Sequence, residues 1–223
     1  APPDDFAIEG QNWGFPTYNW KQLQQDGYTW WIKRLKHMSR YFDAYRIDHV
    51  LGFFRIWEIP ISATQGLLGQ FSPALGLTQQ EIESYGITFS EQKFARHFIN
   101  NQMIERVFHA QASYVKEHYL VHLHDDIYTL KPQFDTQQKI ATAFANKHTS
   151  QDYMLRNGLY TLLNNVLFLN DKQDNKLFHP RIIAHTTFTY EALSEHHKNC
   201  FNRLYNDYFY QRNNQFWYRE AMK

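Results

Sequence analysis

The segment AYRIDHVLGFFRIWEIP (44–60) combines a short β-branched run with a cluster of charged side chains, and the fold of the chain is inferred outward from it. In AYRIDHV (44–50) the pattern predicts a strand, on which Arg46 and Asp48 are two residues apart and therefore point to the same face. An arginine beside a carboxylate favours the ionised form of that carboxylate. A charged carboxylate at the C-terminal end of a barrel strand is suited to act as a nucleophile or a base. The alternative is an ordinary Arg–Asp pair that fixes a loop.

The residues before this segment predict an α/β unit. Residues 1–20 contain Pro and Gly at intervals that keep up neither a helical nor a strand period, so we expect irregular chain there. A helix capped by Asp26 follows, and a helix that leads into a strand with polar residues at its far end is typical of α/β folds. The apolar face of this helix has spacings of four, three and four residues: Trp31, Leu35, Met38 and Phe42.

From about residue 62 onward the pattern is mainly helical. Thr78 and Glu81 have the spacing of a capping box. A loop over 170–181 leads to a long final helical stretch. We expect this helical body to form a core separate from the strand that bears Asp48, built from Phe94, Phe98, Ile104, Phe108, Leu159, Leu162 and Leu163.

Composition and charge exclude several classes of protein. The 223 residues carry 23 Lys and Arg against 22 Asp and Glu, a net charge of +1, which argues against a protein that coats nucleic acid or an anionic membrane. No apolar run approaches the roughly 20 residues that span a bilayer, and the chain opens with no signal-peptide pattern. The single cysteine, Cys200, can form no internal disulfide, which fits a reducing compartment. We therefore expect a soluble, cytoplasmic protein without nucleic-acid or membrane partners.

Aromatic residues are unusually frequent, at 17 % of the chain. A well-filled core explains much of this surplus, but flat aromatic rings also provide platforms for bases or sugar rings. The nearly neutral charge disfavours bases, because base stacking is normally combined with a basic groove. Sugar rings remain the better fit. Five of the six tryptophans lie in the first 60 residues: Trp13, Trp20, Trp30, Trp31 and Trp57.

Several sequence blocks in one order resemble the amylomaltase family of 4-alpha-glucanotransferases, glycoside hydrolase family 77. The blocks are PPDDF (2–6), GQNWGFPTYNW (10–20), RIDH (46–49) and WEIP (57–60). The resemblance implies an α/β fold, a segment of a (β/α)8 TIM barrel carrying the nucleophile strand, and a retaining mechanism without cofactor or metal. It implies that the substrates are maltose, maltooligosaccharides and glycogen-like glucans.

The same resemblance implies a role for each matching position. Asp48 matches the catalytic nucleophile that forms the glucosyl-enzyme intermediate, and Arg46 matches the arginine that positions it. His49 matches a histidine that contacts the sugar at the cleavage point. Trp13 matches a tryptophan that lines the binding side of the glucan acceptor, and Asp4 lies in a flexible loop near it. These five residues are the predicted catalytic and substrate-binding set.

The sequence divides into three expected segments. Residues 1–65 form the catalytic barrel segment, residues 66–170 a mainly helical insertion, and residues 171–223 a return segment with a helix leading to the next barrel strand. The helical insertion (66–170) resembles the one in the subgroup similar to the plant cytosolic disproportionating enzyme. The alternative function is that the chain is a non-catalytic helical module for protein interaction or glucan docking.

A second catalytic carboxyl group has no sequence support. A retaining glycosidase needs two carboxyl groups about 5–5.5 Å apart. The family's general acid lies in an E-D-L-G block, which the 223 residues do not contain. Glu58 is expected to be a salt-bridged structural glutamate. We therefore expect an internal fragment of a larger enzyme, inactive by itself.

Two other features, a histidine-rich segment and the single cysteine, have residue types that occur in functional sites. HLHDD (122–126), with His118 upstream, has the spacing of metal ligands. Close pairs are frequent in a chain with twelve histidines, so we expect no metal there. Cys200 lies among the apolar residues of a helix with no assigned base, and we expect it not to be a nucleophile.

Overall fold

The computed structural model describes residues 1–222, which fold into a mixture of helices and short strands. The π-helical turn Asp207–Arg212 joins the last two helices. Short 3₁₀ turns lie at Val50–Phe53, Gly66–Leu68, His109–Gln111 and Ala184–Thr186. The α-helices are α1 (Trp20–Gln25), α2 (Thr29–Met38), α3 (Gln79–Ser84), α4 (Glu91–Phe94), α5 (Asn101–Phe108), α6 (Ala112–Tyr119), α7 (Gln137–Ala143), α8 (Ser150–Leu163), α9 (Phe188–Glu191), α10 (Glu195–Asn206) and α11 (Asn213–Ala221).

The strands form three small sheets, and every strand pair within residues 1–222 is antiparallel. One sheet contains β1 and β2, the second has β8 between β3 and β7, and the third has β6 between β4 and β5. The strands are β1 (Ile56–Glu58), β2 (Gln70–Ser72), β3 (Leu77–Thr78), β4 (Ile99–Asn100), β5 (Leu120–His124), β6 (Ile127–Leu130), β7 (Phe168–Asn170) and β8 (Leu177–Pro180).

Side-chain caps fix where the helices begin. The Thr78 hydroxyl accepts a hydrogen bond from the Glu81 amide at 3.2 Å, and the Glu81 carboxylate accepts one from the Thr78 amide at 2.8 Å. This confirms the predicted capping box at the start of α3. Thr149 and Asp152 form a second capping box at the start of α8.

The buried side chains gather in two apolar clusters, both beyond residue 60. The first apolar cluster joins the β4–β6–β5 sheet to α5–α8, and the second joins the β3–β8–β7 sheet to α3, α4 and α10. Within residues 1–60, Trp57 is the one buried residue. The predicted separation of the helical core from the segment with Asp48 is therefore confirmed.

The seven predicted core residues do not form a single core. Five of them lie in the first apolar cluster: Ile104, Phe108, Leu159, Leu162 and Leu163. Phe94 lies in the second apolar cluster, because its carbonyl accepts a hydrogen bond from the Leu167 amide at 2.8 Å and so places it against β7. Phe98 is half-buried and belongs to neither. Grouping these two with the others was wrong.

The predicted strand over 44–50 is also wrong. These residues are irregular as far as His49, which has a left-handed backbone at φ 57° and leads into the Val50–Phe53 turn. A strand exists only beside a hydrogen-bonded neighbour. Among residues 1–222, no backbone group accepts a hydrogen bond from the amides of 43–49. The β-branched residues in this segment therefore have no sheet to join.

The helix predicted after Asp26 is confirmed as α2, but it begins at Thr29 and ends at Met38, so Phe42 of the predicted apolar face lies outside it. Asp26 Oδ1 accepts a hydrogen bond from the Thr29 amide at 3.3 Å, while Tyr28, in a left-handed conformation, occupies the cap position. No residue of α2 is fully buried. Its apolar side chains remain partly or largely exposed because neither apolar cluster reaches it.

The division of the sequence into three segments remains a prediction. In space, the second apolar cluster takes residues from both sides of position 170, so the helical insertion and the return segment share a core. Lys223, the last residue of the predicted return segment, lies outside the described residues. No helix within the described part of the chain is both long and apolar enough to cross a membrane.

Candidate active site

Arg46 and Asp48 form a weak, solvent-exposed pair. Arg46 Nη2 lies 3.9 Å from Asp48 Oδ1, and the two side chains are 90 % and 92 % exposed. Within residues 1–222, Asp48 has no other hydrogen-bond or ion-pair partner. The carboxylate is therefore unobstructed on the side away from Arg46, as a group that attacks a bound substrate must be.

His49 follows Asp48 directly and begins the 3₁₀ turn Val50–Phe53. Its carbonyl accepts a hydrogen bond from the Gly52 amide at 2.9 Å. The left-handed backbone at φ 57° is uncommon for a residue with a side chain, and such residues are concentrated at functional sites. The side chain of His49 is exposed.

Asp4 and Trp13 lie in the irregular N-terminal stretch. Asp4 Oδ1 accepts hydrogen bonds from the amides of Phe6 and Ala7, at 2.9 and 2.7 Å, which closes a tight turn. Trp13 Nε1 donates to Gln11 Oε1 at 3.0 Å, and the indole is 68 % exposed. An exposed indole held by one hydrogen bond offers a flat face for a sugar ring.

The N-terminal stretch is fixed by two glycines in close contact. Gly10 has φ +69°, and a Cβ atom there would lie 2.9 Å from the Cα of Gly66. The Gly66 amide donates to the Glu9 carbonyl at 2.7 Å, and Asn12 Nδ2 donates to the Ala63 carbonyl at 3.0 Å. Because any side chain at Gly10 or Gly66 would push the two backbones apart, this contact requires glycine at both positions.

An aromatic group surrounds the start of α2. Ring centroids of Tyr18, Trp20, Trp30 and Trp31 lie between 5.2 and 6.4 Å from their neighbours, and Phe53 packs against Trp20 and Trp31 at 5.5 and 5.7 Å. Part of the aromatic surplus of the chain is therefore concentrated here, outside both apolar clusters.

Glu58 forms the salt bridge that was predicted for it. Its Oε1 accepts a hydrogen bond from the Thr17 hydroxyl at 2.9 Å, and its Oε2 lies 2.7 Å from Lys172 Nζ. Both carboxylate oxygens are thus engaged by groups other than Arg46 and Asp48. Glu58 fastens the N-terminal stretch and β1 to the chain that follows β7.

The histidines of HLHDD are engaged in local contacts of the β5–β6 hairpin. His122 Nε2 lies 2.7 Å from the Asp125 carbonyl, and His124 Nδ1 lies 3.3 Å from Asp125 Oδ2. A register shift between His122 and His124 interrupts the regular alternation of the strand. His118 Nδ1 lies 2.9 Å from the Tyr114 carbonyl. Residues 1–222 contain no cluster of three His, Cys, Asp or Glu residues placed to hold a metal.

Cys200 is a buried member of the second apolar cluster. Its Sγ lies 3.6 Å from His196 Nε2 and 3.6 Å from Arg203 Nη2. A Cβ at Gly86 would lie 3.1 Å from the same sulfur, so the thiol is enclosed by packed chain. Its described environment is that of a core side chain.

The predicted site residues therefore form two groups. Arg46, Asp48 and His49 are adjacent, whereas Asp4 and Trp13 lie in the separate N-terminal stretch. No hydrogen bond, ion pair or ring contact within residues 1–222 joins one group to the other. Sequence reasoning missed Gln137, the buried polar residue that links the loop after β1 to the helical insertion, because a Gln within the polar run TQQK (136–139) gives no sign of burial.

Comparisons with known proteins identify the family of the chain. The family model described as 4-alpha-glucanotransferase matches residues 1–223. The chain is 39 % identical over 228 residues to the 4-alpha-glucanotransferase DPE2 of Oryza sativa subsp. japonica. This alignment covers 100 % of the chain and 24 % of the rice protein. The chain thus spans about a quarter of the length of this relative.

Bacterial relatives match over shorter stretches. A 4-alpha-glucanotransferase of Streptococcus pneumoniae serotype 4 (strain ATCC BAA-334 / TIGR4) is 44 % identical over 71 residues, covering 32 % of this chain and 14 % of that protein. A 4-alpha-glucanotransferase of Chlamydia pneumoniae is 51 % identical over 57 residues, covering 26 % of this chain and 11 % of that protein. No solved structure matches the chain. From the match over all 223 residues and the full-length alignment with the rice protein, the chain belongs to the 4-alpha-glucanotransferase family.

Proposed function

We propose that these 223 residues supply the nucleophile side of the active site of a 4-alpha-glucanotransferase, with Asp48 as the nucleophile. The observation that carries the proposal is the Arg46–Asp48 pair, exposed and without a further partner within residues 1–222, in a chain whose family is established over its whole length. A carboxylate that must form a bond to carbon needs an open approach. The exposed carboxylate of Asp48, with Arg46 Nη2 at 3.9 Å on one side, offers such an approach.

The proposed reaction is a double displacement. An oxygen of Asp48 attacks the anomeric carbon of the donor glucan, and the bond from that carbon to the departing glycosidic oxygen breaks as a general acid protonates the oxygen. The 4-hydroxyl of a second glucan then attacks the same carbon, loses its proton to the same acid/base group and releases the Asp48 carboxylate. His49 and Arg46 bind the sugar at the cleavage point, while Trp13 and Asp4 serve the glucan acceptor.

The general acid is to be sought outside these 223 residues. Glu58, which follows ten positions after Asp48, is engaged with Thr17 and Lys172. The rice relative extends well beyond the aligned quarter. In this proposal the segment around Asp48 belongs to a (β/α)8 barrel, and the missing neighbouring strands explain why residues 44–50 are irregular.

The proposed substrates are maltose or maltooligosaccharides as donors and glycogen-like glucans as acceptors. The proposed compartment is the cytoplasm, which the free thiol of Cys200 supports. The alternative of a non-catalytic interaction or glucan-docking module is less favoured, because the family match is not confined to the helical insertion.

Disproportionation of maltotriose tests this function in the enzyme that carries these residues. Asp48→Asn keeps the shape of the side chain and removes the charge, so the rate should fall by about a thousandfold or more, equal to about 4 kcal/mol of barrier. Asp43→Asn, an exposed aspartate in the same loop, is the matched control and should retain the parental rate. Retention of more than about a tenth of the activity in Asp48→Asn would contradict the role of Asp48.

A further inference from the structure

A buried polar network joins the helical insertion to the loop that follows β1. Gln137, in the first turn of α7, is only 1 % exposed. Its Oε1 accepts hydrogen bonds from the amides of Thr64 and Gln65, at 2.8 and 2.9 Å. The Gln138 amide, next in sequence, donates to the Ser62 carbonyl at 2.9 Å. The backbone of the loop is thus held at residues 62, 64 and 65.

The other half of the Gln137 amide is equally engaged. Its Nε2 donates to Asn164 Oδ1 at 2.7 Å and to Gln65 Oε1 at 3.1 Å. Asn164, which caps the C-terminus of α8, donates in turn from Nδ2 to Gln65 Oε1 at 2.9 Å. A buried amide with both ends satisfied is a rigid fixing point, because breaking any one bond leaves a polar group without water.

The loop held by Gln137 in turn holds the N-terminal stretch. Ala63 accepts from Asn12 Nδ2, and Gly66 donates to Glu9, on either side of the residues that Gln137 fixes. Trp57, the buried residue of β1, donates from Nε1 to the Gly66 carbonyl at 3.0 Å. Two short chains of contacts therefore lead from Gln137 to the N-terminal stretch, one through Ala63 to Asn12, next to Trp13, and one through Gly66 to Glu9.

We propose that Gln137 is a positioning residue for the glucan acceptor. Through residues 62–66 it fixes the stretch that carries Asp4 and Trp13, and it thereby sets how the glucosyl-enzyme intermediate divides between transfer and hydrolysis. This inference rests on the function proposed above and gives the helical insertion a role in it.

The physical basis is competition for the intermediate. The ester bond between Asp48 and the anomeric carbon breaks when either a sugar 4-hydroxyl or a water molecule attacks that carbon, and in both cases the attacking group loses its proton to the acid/base residue. A rigid platform for the glucan acceptor holds the sugar hydroxyl in place and keeps water out. A mobile platform weakens the attack by the sugar hydroxyl. It does not affect the earlier step, in which the ester was formed.

Hydrogen exchange and kinetics together test this role in the enzyme. In Gln137→Ala, the amides of Thr64, Gln65 and Gly66 should exchange about tenfold faster. With α-glucosyl fluoride as donor and maltose as glucan acceptor, the burst of fluoride should be unchanged. The KM for maltose and the ratio of free glucose to maltotriose should both rise about tenfold.

Two further variants keep the test decisive. Gln138→Ala, an exposed position on the same helix, keeps its backbone hydrogen bond to Ser62 and should behave as the parent enzyme. Asn12→Asp retains the oxygen that accepts from the Gly14 amide at 3.0 Å but removes the donor to Ala63. It should reproduce the rise in hydrolysis without disturbing the helical insertion, even if Gln137→Ala does not fold.

The possible outcomes separate this inference from the proposed function. A fluoride burst that falls in proportion to transfer, or an unchanged product ratio in Gln137→Ala and Asn12→Asp, would overturn the role of Gln137. A parent enzyme that forms no maltotriose would overturn the proposed function instead. In that case the hydrogen exchange of residues 62–66 still tests the mechanical link.

Discussion

Glu58 and Lys172 form an ion pair, with Oε2 and Nζ 2.7 Å apart, across 114 residues of sequence. Glu58 lies at the end of β1, whereas Lys172 lies just beyond β7. Together with the bond from Thr17 to the other oxygen of Glu58, the pair ties the N-terminal stretch to the return segment. The contact is structural, and its contribution can be measured separately from catalysis.

The Glu58–Lys172 pair should contribute little to stability and nothing to chemistry. The side chains are 20 % and 41 % exposed, so solvent screens their attraction. A double-mutant cycle with Glu58→Gln and Lys172→Met, measured by urea unfolding, should give a coupling free energy of about 0.5–1 kcal/mol. The transfer rate of Glu58→Gln should stay within about threefold of the parent enzyme. A loss as large as that of Asp48→Asn would instead make Glu58 a catalytic carboxylate.

Gly158 should be required for packing. From sequence alone, this glycine weakens α8 by about 1 kcal/mol relative to alanine. In the structure, a Cβ at this position would lie 2.3 Å from Phe108 Cε1, in the first apolar cluster. Gly158→Ala should therefore lower the free energy of unfolding by about 1–3 kcal/mol, despite the gain in helix propensity.

Asn157→Ala is the control for this prediction. Asn157 is exposed on the same helix, so its substitution should change the free energy of unfolding by no more than about 0.5 kcal/mol. If Gly158→Ala proved more stable than the parent, the close packing of α8 on Phe108 would be refuted.

Acidification should destabilise the fold through His179. Its Nδ1 lies 2.6 Å from the Tyr208 hydroxyl and its Nε2 lies 2.8 Å from Asp171 Oδ2. Burial lowers the pKa of His179 below the ordinary 6.5, although Asp171 opposes that shift. Because the unfolded chain then binds more protons than the folded one, the stability is present above pH 6.5 and is lost as the pH falls through the folded-state pKa.

Asp171 adds to this effect at lower pH. Burial raises the pKa of its carboxyl, but the amides of Gln173 and Asp174 and the ring of His179 outweigh burial, so that the net shift is downward. Stability from this group is lost only as the pH falls below the ordinary value of 3.8. The loss near neutral pH is therefore due to histidine.

Urea unfolding at pH 7.5 and pH 5.5 measures the effect, and stability should be lower at the acidic pH. His179→Gln should reduce the difference without abolishing it, because burial also lowers the pKa of His97 and His185. Exposed His148→Gln should leave the difference unchanged. A pH dependence equal in His179→Gln and the parent would show that His179 does not contribute.

Local signals in the sequence predicted local structure. The capping box at Thr78 and α2 were found because caps and helical periods depend on neighbours in sequence. The prediction of a strand at 44–50 was wrong because a strand must pair with another strand, and none lies beside these residues within residues 1–222. Gln137 could not be recognised, since its burial depends on Thr64 and Asn164, which are distant in sequence.

The site shows the same division. Asp48, Arg46 and His49 were predicted from a four-residue block, and the structure places them together by adjacency alone. The placement of Trp13 depends on the Gly10–Gly66 contact, which no spacing rule predicts, because it joins two irregular segments through the absence of side chains.

The central claim, that Asp48 is the nucleophile, is tested most directly by trapping the covalent intermediate. A ring-fluorinated α-glucosyl fluoride forms the glucosyl-enzyme ester and slows its release, so that digestion and mass spectrometry locate the modified residue. The account predicts a glucosyl adduct on the peptide that contains Asp48, and no adduct in Asp48→Asn. An adduct on any other carboxylate of an active enzyme, Glu58 included, would contradict it.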